Sequence, residues 1–351
     1  MEKYFRLLCF LLIINNITYG ATKTSISNGN WSSATTWSPS GVPTSIDNII
    51  INSNVILDAN ISLDPGGSIT VNTGNSLIQT GSHTLNTNGD ISGPNISITN
   101  YGIITIDEIQ ASEECVMVSI DNFGILNVIG STSTTVFTWR GERIINHVSA
   151  IINVPNKMFR LSNQSFTSSA CPLSRPTLDN SGTLNVWDLQ FHANSIGINR
   201  STGVINTISG GPGIFFAAYD FDNYGCILAN SDIVLDGKTN NNGHNHTTFH
   251  DGSKLVITSG VLNISGSGHI LTGVDDDGNN VNNACISTTP AGTQILNSGT
   301  ITGELFINDP DGNIPGTLGP MIVEGTNDCG GASCTIPCPN PNCGTATIIK
   351  N

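Results

Sequence analysis

Charged and aromatic residues are scarce in this chain of 351 residues: Asp, Glu, Lys and Arg make up 11% of it, and Phe, Trp and Tyr only 6%. Cations are the scarcest, with 12 Lys or Arg against 26 Asp or Glu and a formal net charge of −14. A nucleic-acid-binding protein needs clustered cations to displace phosphate counterions. The composition therefore argues against nucleic acid as a partner.

Long apolar runs are also rare. The run Leu7–Ile14 is shorter than the roughly 20 residues that span a bilayer, and it lies between the basic residues Lys3 and Arg6 and the small residues Gly20 and Ala21. This order predicts a secretory signal peptide over residues 1–21. We therefore expect a mature chain without a transmembrane segment, secreted or held at the outer cell surface.

Cysteine is present in a pattern that suits export. Removal of the leader takes away one of the nine cysteines and leaves an even number, which favours disulfides in an oxidising compartment. Cys329, Cys334, Cys338 and Cys343 crowd a tail at 326–351, for which the sequence favours disulfides over a zinc site and leaves the pairing open. The other four, Cys115, Cys171, Cys226 and Cys285, are either bridged or buried.

Glycine is abundant, with 38 residues, and five glycines belong to a repeated phrase. The phrase joins an apolar residue, Asp or Thr, Asn, a free position and Gly to alternating aliphatic residues. Its copies are Ile98–Ile106, Ile120–Val128, Leu178–Val186 and Phe221–Ala229, with a looser copy at Ile198–Thr207. Gly102 and Gly124 are 22 residues apart, and Gly182, Gly203 and Gly225 follow one another at 21 and 22.

Each copy predicts a tight turn followed by a short strand. Asn and Gly tolerate positive φ, and an Asn side chain bonds nearby amides. Aliphatic residues at every second position after the glycine indicate a strand with one buried face, which needs stacked neighbours to form a core. The sequence thus predicts an all-β fold: a right-handed parallel β-helix, or single-stranded β-solenoid, of roughly 22 residues per coil, with a disulfide-rich C-terminal tail. An antiparallel β-sandwich array is the alternative.

The same pattern predicts the organisation of the chain. After the leader, residues 22–90 form an N-terminal cap and the first coils, and 91–325 form the solenoid. Gly124 and Gly182 are 58 residues apart, so an irregular excursion is expected at 131–178. Long excursions from a regular scaffold often hold functional groups.

The mature N-terminus carries a phrase with two tryptophans, Trp31 and Trp37, a Val42-Pro43 turn and Asp47 before an alternating strand. This phrase resembles the opening of the eight-glycine extracellular domain of Bacteroidetes-type β-helix surface proteins, over residues 28–90. Ile46 stands where those proteins usually have glycine. The resemblance implies a secreted β-rich surface module. From the residues alone, Trp31 and Trp37 cap the open end of the solenoid or stack on carbohydrate.

Two groups of residues are candidates for catalysis. The cations Arg140, Arg143, Lys157 and Arg160 in the excursion are of the type that abstracts a proton beside a uronate carboxyl and stabilises the resulting charge. Surface charge is the plainer interpretation of this group. Asp121, Asp179 and Asp222 are expected in one column, where turn capping explains them more simply than paired catalytic carboxylates do.

Two further groups are candidate metal sites. Oxygen-rich loops around Asp275 and Asp277, and around Asp309 and Asp311, suit calcium as a cofactor, although neither has EF-hand spacing. His244, His246 and His250 form a weaker metal candidate. An acidic turn and a polar loop are the respective alternatives.

Together these features predict a secreted or cell-surface solenoid with a structural, adhesive or glycan-contacting role and no enzymatic activity. The alternative is a polysaccharide lyase or glycoside hydrolase of the β-helix type. An extracellular glycan is the expected partner, and the oligomeric state stays open.

Overall fold

The described part of the chain is almost entirely β-strand. The computed structural model describes residues 20–81, 83–87, 95–111, 118–130, 136–139, 143–161, 176–192, 195–208, 210–216, 218, 220–230 and 233–236, and then eight strands between 246 and 308. One short 3-10 helix, Ala34–Thr36, is the only helix within these residues.

The strands follow one another at short intervals. The first nine are β1 Thr22–Ser25, β2 Gly29–Asn30, β3 Trp37–Ser38, β4 Asn48–Ile51, β5 Val55–Leu57, β6 Ile61–Leu63, β7 Ser68–Val71, β8 Ser76–Gln79 and β9 Leu85–Thr87. The next fifteen are β10 Ile96–Asn100, β11 Ile103–Ile106, β12 Ile109–Ala111, β13 Val118–Asn122, β14 Ile125–Val128, β15 Val136–Trp139, β16 Arg143–Asn146, β17 Ile151–Leu161, β18 Thr177–Asn180, β19 Thr183–Phe191, β20 Ile196–Asn199, β21 Val204–Thr207, β22 Gly213–Phe216, β23 Asp220–Asn223 and β24 Cys226–Ala229. The last nine are β25 Ile233–Asp236, β26 His246–Phe249, β27 Lys254–Ile257, β28 Val261–Ser265, β29 His269–Thr272, β30 Ala284–Thr288, β31 Gln294–Asn297, β32 Thr300–Thr302 and β33 Leu305–Asn308.

These strands form three faces that the chain visits in turn. Face A runs in the order β3-β1-β4-β7-β10-β13-β16-β18-β20-β23-β26-β29-β32. Face B contains β2, β5, β8, β11, β14, the first halves of β17 and β19, β21, β24, β27, β30 and β33. Face C contains β6, β9 and β12, then β15, the second halves of β17 and β19, β22, β25, β28 and β31.

The pairing confirms the predicted parallel β-solenoid. Every described strand pairs in parallel with the strand one turn away, except that β1 and β3 are antiparallel at the cap. The antiparallel sandwich is therefore wrong. Successive turns through Asn100, Asn122, Asn146, Asn180, Asn199 and Asn223 differ by 22, 24, 34, 19 and 24 residues. The hand of the coil stays a prediction.

The core lies between the three faces and is built from alternate residues. The second and fourth residues after each repeat glycine are all buried: Ile104, Ile106, Leu126, Val128, Leu184, Val186, Ile205, Thr207, Ile227 and Ala229. Large aromatic side chains also enter the core, where the rings of Phe191 and Phe221 have centroids 5.0 Å apart. The predicted strand period is thus confirmed.

The five repeat glycines occupy one column at the corner between face A and face B. Backbone hydrogen bonds run from Ile125 to Gly102, from Val204 to Gly182 and from Cys226 to Gly203. A Cβ on Gly124 would lie 2.1 Å from the Gly102 carbonyl oxygen. Positive φ was the wrong reason for these glycines, because none of the five adopts it. Close approach of successive backbones requires them instead.

The predicted excursion at 131–178 contains strands of the regular stack. β15, β16 and β17 all pair with neighbouring turns. The glycine column continues there through Ala150, preceded by two extra residues of which Ser149 adopts a φ of 67°. The longer corner makes room for a methyl group, so this turn carries no glycine to reveal it. Residues 131–135, 140–142 and 162–175 lie outside the described part.

A row of six buried asparagines, here the inner ladder, follows the same corner inside the coil: Asn100, Asn122, Asn146, Asn180, Asn199 and Asn223. In the first five, Nδ2 donates to the Oδ1 one turn further along, at 2.7–2.9 Å, and the Nδ2 of Asn223 donates to the Gly225 carbonyl. The second N–H of Asn122 reaches the carbonyl of Ile151 at 3.0 Å. Mutual bonding satisfies amides that burial would otherwise make costly.

Candidate functional site

Trp31 and Trp37, the candidates for carbohydrate stacking, lie in the core of the cap. They are 3% and 1% exposed and meet edge to face, with ring centroids 5.0 Å apart and an interplanar angle of 74°. The indole N–H of Trp37 donates to the Trp31 carbonyl at 2.9 Å. Neither ring offers a face to a sugar, so stacking on carbohydrate is wrong for this pair and the capping role accounts for their positions.

The candidate cations do not converge. Arg143 is exposed at the start of β16 on face A, whereas Arg160 points outward from face C. Arg140 lies outside the described residues. Three described cations on different sides of a coil cannot serve one groove, so the predicted cationic groove is not formed by Arg143, Lys157 and Arg160.

Lys157 is buried at the corner between faces B and C, 2% exposed. Its Nζ donates to the carbonyl of Asp107 at 2.8 Å, and its stem passes over Gly130, where an added Cβ would lie 1.3 Å from Cε. Desolvation lowers the pKa of Lys157, and the negative charges of Glu108 and Asp107 offset part of that shift. This lysine closes the corner of the coil and has no access to a polysaccharide.

Arg160 instead joins a polar cluster on face C. Its Nε and Nη2 donate to Gln190 Oε1 at 3.3 and 3.2 Å, and the Gln190 amide donates to both oxygens of Asp188 at 3.1 and 3.3 Å. A ring nitrogen of His192 lies 3.1 Å from the same Gln190 oxygen. Desolvation raises the pKa of Asp188, while desolvation and then Arg160 lower the pKa of His192. Both pKa shifts thus favour the uncharged form of the side chain.

The acids Asp121, Asp179 and Asp222 do share one column of face A, as predicted. Ile145 and Ile198 occupy the turns between them, so no two of the carboxylates are neighbours. Asp179 forms a bidentate pair with Arg200 at 2.7 and 2.8 Å. Asp121 lies 3.3 Å from His147. The column thus holds the ion pair between Asp179 and Arg200 and no catalytic carboxylate dyad.

The remaining sequence candidates fall on parts without described side chains. Asp275, Asp277, Asp309, Asp311, His244, His250, Cys329, Cys334, Cys338 and Cys343 lie outside the described residues, and His246 is described only as part of β26. Within the described residues no three His, Cys, Asp or Glu side chains are grouped to hold a metal ion. The calcium sites and the disulfides of the tail therefore stay predictions.

An exposed row of rings, here the ring row, occupies the free position of the repeat. Tyr101 and Phe123 stack with centroids 4.8 Å apart and planes 16° apart, and Phe123 stacks on His147 at 3.7 Å and 7°. Tyr101 and Phe123 are 43% and 41% exposed. Exposed rings in parallel register over three turns make a continuous apolar edge.

Two further outward rows run beside the rings on face B. The aliphatic row is Ile103, Ile125 and Ile151, which are in register on β11, β14 and β17. The outer ladder comprises Thr105, Asn127, Asn153, Asn185, Asn206 and Asn230, all half-buried. Each asparagine Nδ2 donates to the side-chain oxygen one turn earlier, at 2.8–3.3 Å. We call the three rows together the platform.

The platform was missed by reasoning from sequence, although signals for it are present. The free position of the repeat is aromatic in three copies, at Tyr101, Phe123 and Tyr224. The third position after the glycine is Thr or Asn in Thr105, Asn127, Asn185 and Asn206. Packing of the core constrains only the inward positions of a strand. A residue type that repeats at outward positions therefore points to a role at the surface.

No protein-family model, no curated protein and no solved structure matches this chain. A search of the described residues for a helix long and apolar enough to span a membrane finds none.

Proposed function

We propose that this chain is exported and acts at the cell surface as a solenoid that contacts glycans without cleaving them, and that the platform is its contact surface. The observation that carries the proposal is the ring row beside the aliphatic row, because Tyr101, Ile103 and Phe123 are each about two-fifths exposed. Apolar side chains clustered at a protein surface often mark an interaction site.

The chemistry of the platform suits sugars. A sugar ring has apolar C–H faces and a rim of hydroxyl groups. The ring and aliphatic rows offer apolar area to the C–H faces, and the outer ladder offers amide donors and acceptors to the hydroxyls. A protein partner would also be met by apolar side chains, but the continuous amide row beside them favours a ligand rich in hydroxyl groups.

Export is supported by features of the sequence. The leader at 1–21, the even number of cysteines after its removal and the resemblance of residues 28–90 to Bacteroidetes-type surface modules all favour an extracellular location. Scarce cations and a net charge of −14 disfavour phosphate-rich partners. Disulfides in the tail would suit the same compartment.

Calorimetry of the mature protein with neutral and acidic polysaccharides, with reducing ends measured in parallel, tests the proposal. The double variant Tyr101→Ser with Phe123→Ser should bind at least about tenfold more weakly, because it loses the apolar edge. Ile26→Ser, which removes an even more exposed aliphatic residue from the cap, should bind as the native protein does. Native-like binding by the double variant, or no binding of any polysaccharide, would overturn the proposal.

A second candidate function, cleavage of a polysaccharide, has one observation in its favour. The face C cluster holds a carboxyl group with a raised pKa and an imidazole with a lowered pKa, joined through Gln190. Titratable groups with shifted pKa values are enriched at functional sites. Asp188 is only 1% exposed, however, which places its carboxyl out of reach of a sugar chain in this conformation.

The same mixtures distinguish the two functions. Cleavage predicts new reducing ends or unsaturated products that disappear in Asp188→Asn and His192→Ala, while binding persists. If the native protein binds but releases no products from either class of polysaccharide, the cluster is structural.

A further inference from the structure

We propose that the outer ladder recognises a neutral polysaccharide bound as an extended chain that runs parallel to the solenoid axis, one sugar for each turn of the coil. This inference rests on the proposed function and adds to it the class of ligand, its direction and its length.

The register of the ladder gives the direction. Thr105, Asn127 and Asn153 are direct partners across adjacent parallel strands, and Asn185 and Asn206 continue the same column. Adjacent strands are about 4.8 Å apart, which is close to the length of one sugar in a stretched chain. A chain that lies along the column therefore meets an equivalent amide at every sugar, whereas a chain that crosses the column meets only one.

The hydrogen-bonding capacity of the ladder supplies the contacts. An asparagine amide has two N–H donors and an oxygen with two acceptor sites. In Asn127, Asn153 and Asn185 one donor and one acceptor are used along the column, at 2.8–3.2 Å. Each turn thus retains a donor and an acceptor for a ligand, which is the combination that a hydroxyl group needs.

The ladder is ordered before any ligand arrives. Asn153 and Asn185 are each held by the amides one turn above and one turn below, and Asn127 is held by the Thr105 hydroxyl and the Asn153 amide, so neighbouring side chains fix each rotamer. Binding to side chains that are already ordered avoids part of the entropy cost of immobilising them. Repetition of the same fixed contact should make affinity grow with the length of the ligand.

The charge of the surface selects the ligand. The aliphatic row and the outer ladder contain only uncharged side chains, and His147 at the adjacent corner is paired with Asp121. A chain with a net charge of −14 repels a polyanion at long range. A neutral polysaccharide therefore fits this surface better than a polyuronate does.

The free length of the platform is limited. Val204, Cys226 and Leu228 also point outward on face B, yet they are only 4–7% exposed and form a buried cluster of their own. The accessible rows therefore extend from the turn of Thr105 to about the turn of Asn185. Affinity should rise from one sugar to about four or five and then level off, because longer chains pass the end of the rows.

Calorimetry with a size series of glucan oligosaccharides, from disaccharide to octasaccharide, and with a matched oligogalacturonate series tests the inference. Glucan affinity should rise steeply up to the tetrasaccharide or pentasaccharide and then change little, and the galacturonates should bind more weakly at every length. Asn153→Ala, in the middle of the ladder, should weaken binding of the pentasaccharide about three- to tenfold. Asn153→Thr should recover part of that loss, as a hydroxyl already serves at Thr105.

Asn48→Ala is the matched control, because it removes an exposed amide from β4 on face A and should leave affinity unchanged. Length-independent affinity, tighter binding of galacturonates or native affinity in Asn153→Ala would each overturn the inference. If the Tyr101 and Phe123 double variant still loses binding in such a case, the proposed function stands and only the ladder is excluded. Self-association in sedimentation that Asn153→Ala abolishes would instead identify a second copy as the occupant.

Discussion

The inner and outer ladders are two polar rows that flank one corner of the solenoid: the inner ladder lies inside the coil at the ends of face A strands, and the outer ladder points outward from face B. The inner amides are wholly buried and donate toward the following turn, whereas the outer amides are half-buried and donate toward the preceding turn. Inside, the second N–H is consumed by a backbone carbonyl, as at Asn122 and Ile151. Outside, it is left for solvent or a ligand. The same residue therefore builds the fold on one side and an interaction surface on the other.

The largest expected effect comes from breaking the inner ladder. Asn146→Ala removes the acceptor of Asn122 and the donor to Asn180, both of them buried. Each unsatisfied buried group costs about 1–3 kcal/mol. The midpoint of denaturant unfolding should fall markedly, whereas Asn153→Ala in the outer ladder should shift the free energy of unfolding by no more than about 0.5 kcal/mol. Equal effects in the two variants would remove the distinction between the ladders.

The glycine corner between the ladders gives the next effect. Gly124→Ala places a Cβ 2.1 Å from the Gly102 carbonyl oxygen, and the resulting backbone shift should cost about 1–3 kcal/mol. Ala150→Gly, which removes a methyl group from the same column, should lower the free energy of unfolding by no more than about 1 kcal/mol. Thermal unfolding of both variants measures the difference. A tolerated Gly124→Ala would show that successive backbones are not in close contact at this corner.

A smaller effect that depends on pH is expected on face C. Because burial raises the pKa of Asp188 above its unfolded value of 3.8, the native state binds this proton more tightly, and stability falls as pH rises through the folded pKa. Asp188→Asn removes that fall, so the stability of the variant relative to the native protein should increase as pH rises above about 4. Unfolding midpoints across this range provide the test. A stability difference between the variant and the native protein that narrows as pH rises would contradict the prediction.

His192 on the same face should act in the opposite direction. Its pKa is lowered by burial and then by Arg160, so stability should be lost as pH falls below the unfolded value of about 6.5 toward the lower folded pKa. His192→Phe should lessen this loss at acid pH and leave the midpoint near pH 7.5 little changed. The measurement is the same pH series, and a loss of equal size in the variant would assign it to other groups.

Much of the fold was predictable because every stacked turn of the coil needs the same types of residue at the same positions. The glycines at Gly102, Gly124, Gly182, Gly203 and Gly225 and the aliphatic residues after them report close backbone approach and burial. The turn at 143–161 was not predicted from the sequence, because Ala150 replaces the glycine and the corner is two residues longer. The burial of Lys157 was not predicted either, because it depends on the space above Gly130, which lies one turn away in the coil.

The candidate site was less predictable, since a binding surface needs the register of turns of unequal length. His147 is 26 residues from Asp121 and Arg200 is 21 residues from Asp179, so a fixed repeat could not pair them. The column of acids was found, but the partners that neutralise it were not. Trp31 and Trp37 illustrate the converse, because residues suited to sugars by type are buried in the cap.

Side-chain amide NMR tests most directly whether the amides inside the coil are structural and those that point outward from face B bind the ligand. With 15N-labelled protein, a neutral glucan pentasaccharide should shift the side-chain NH2 signals of Asn127, Asn153 and Asn185 and leave those of Asn122, Asn146 and Asn180 in place. Signals of the outer ladder that stay fixed at saturating pentasaccharide, or that move no more than the inner ones, would contradict the account.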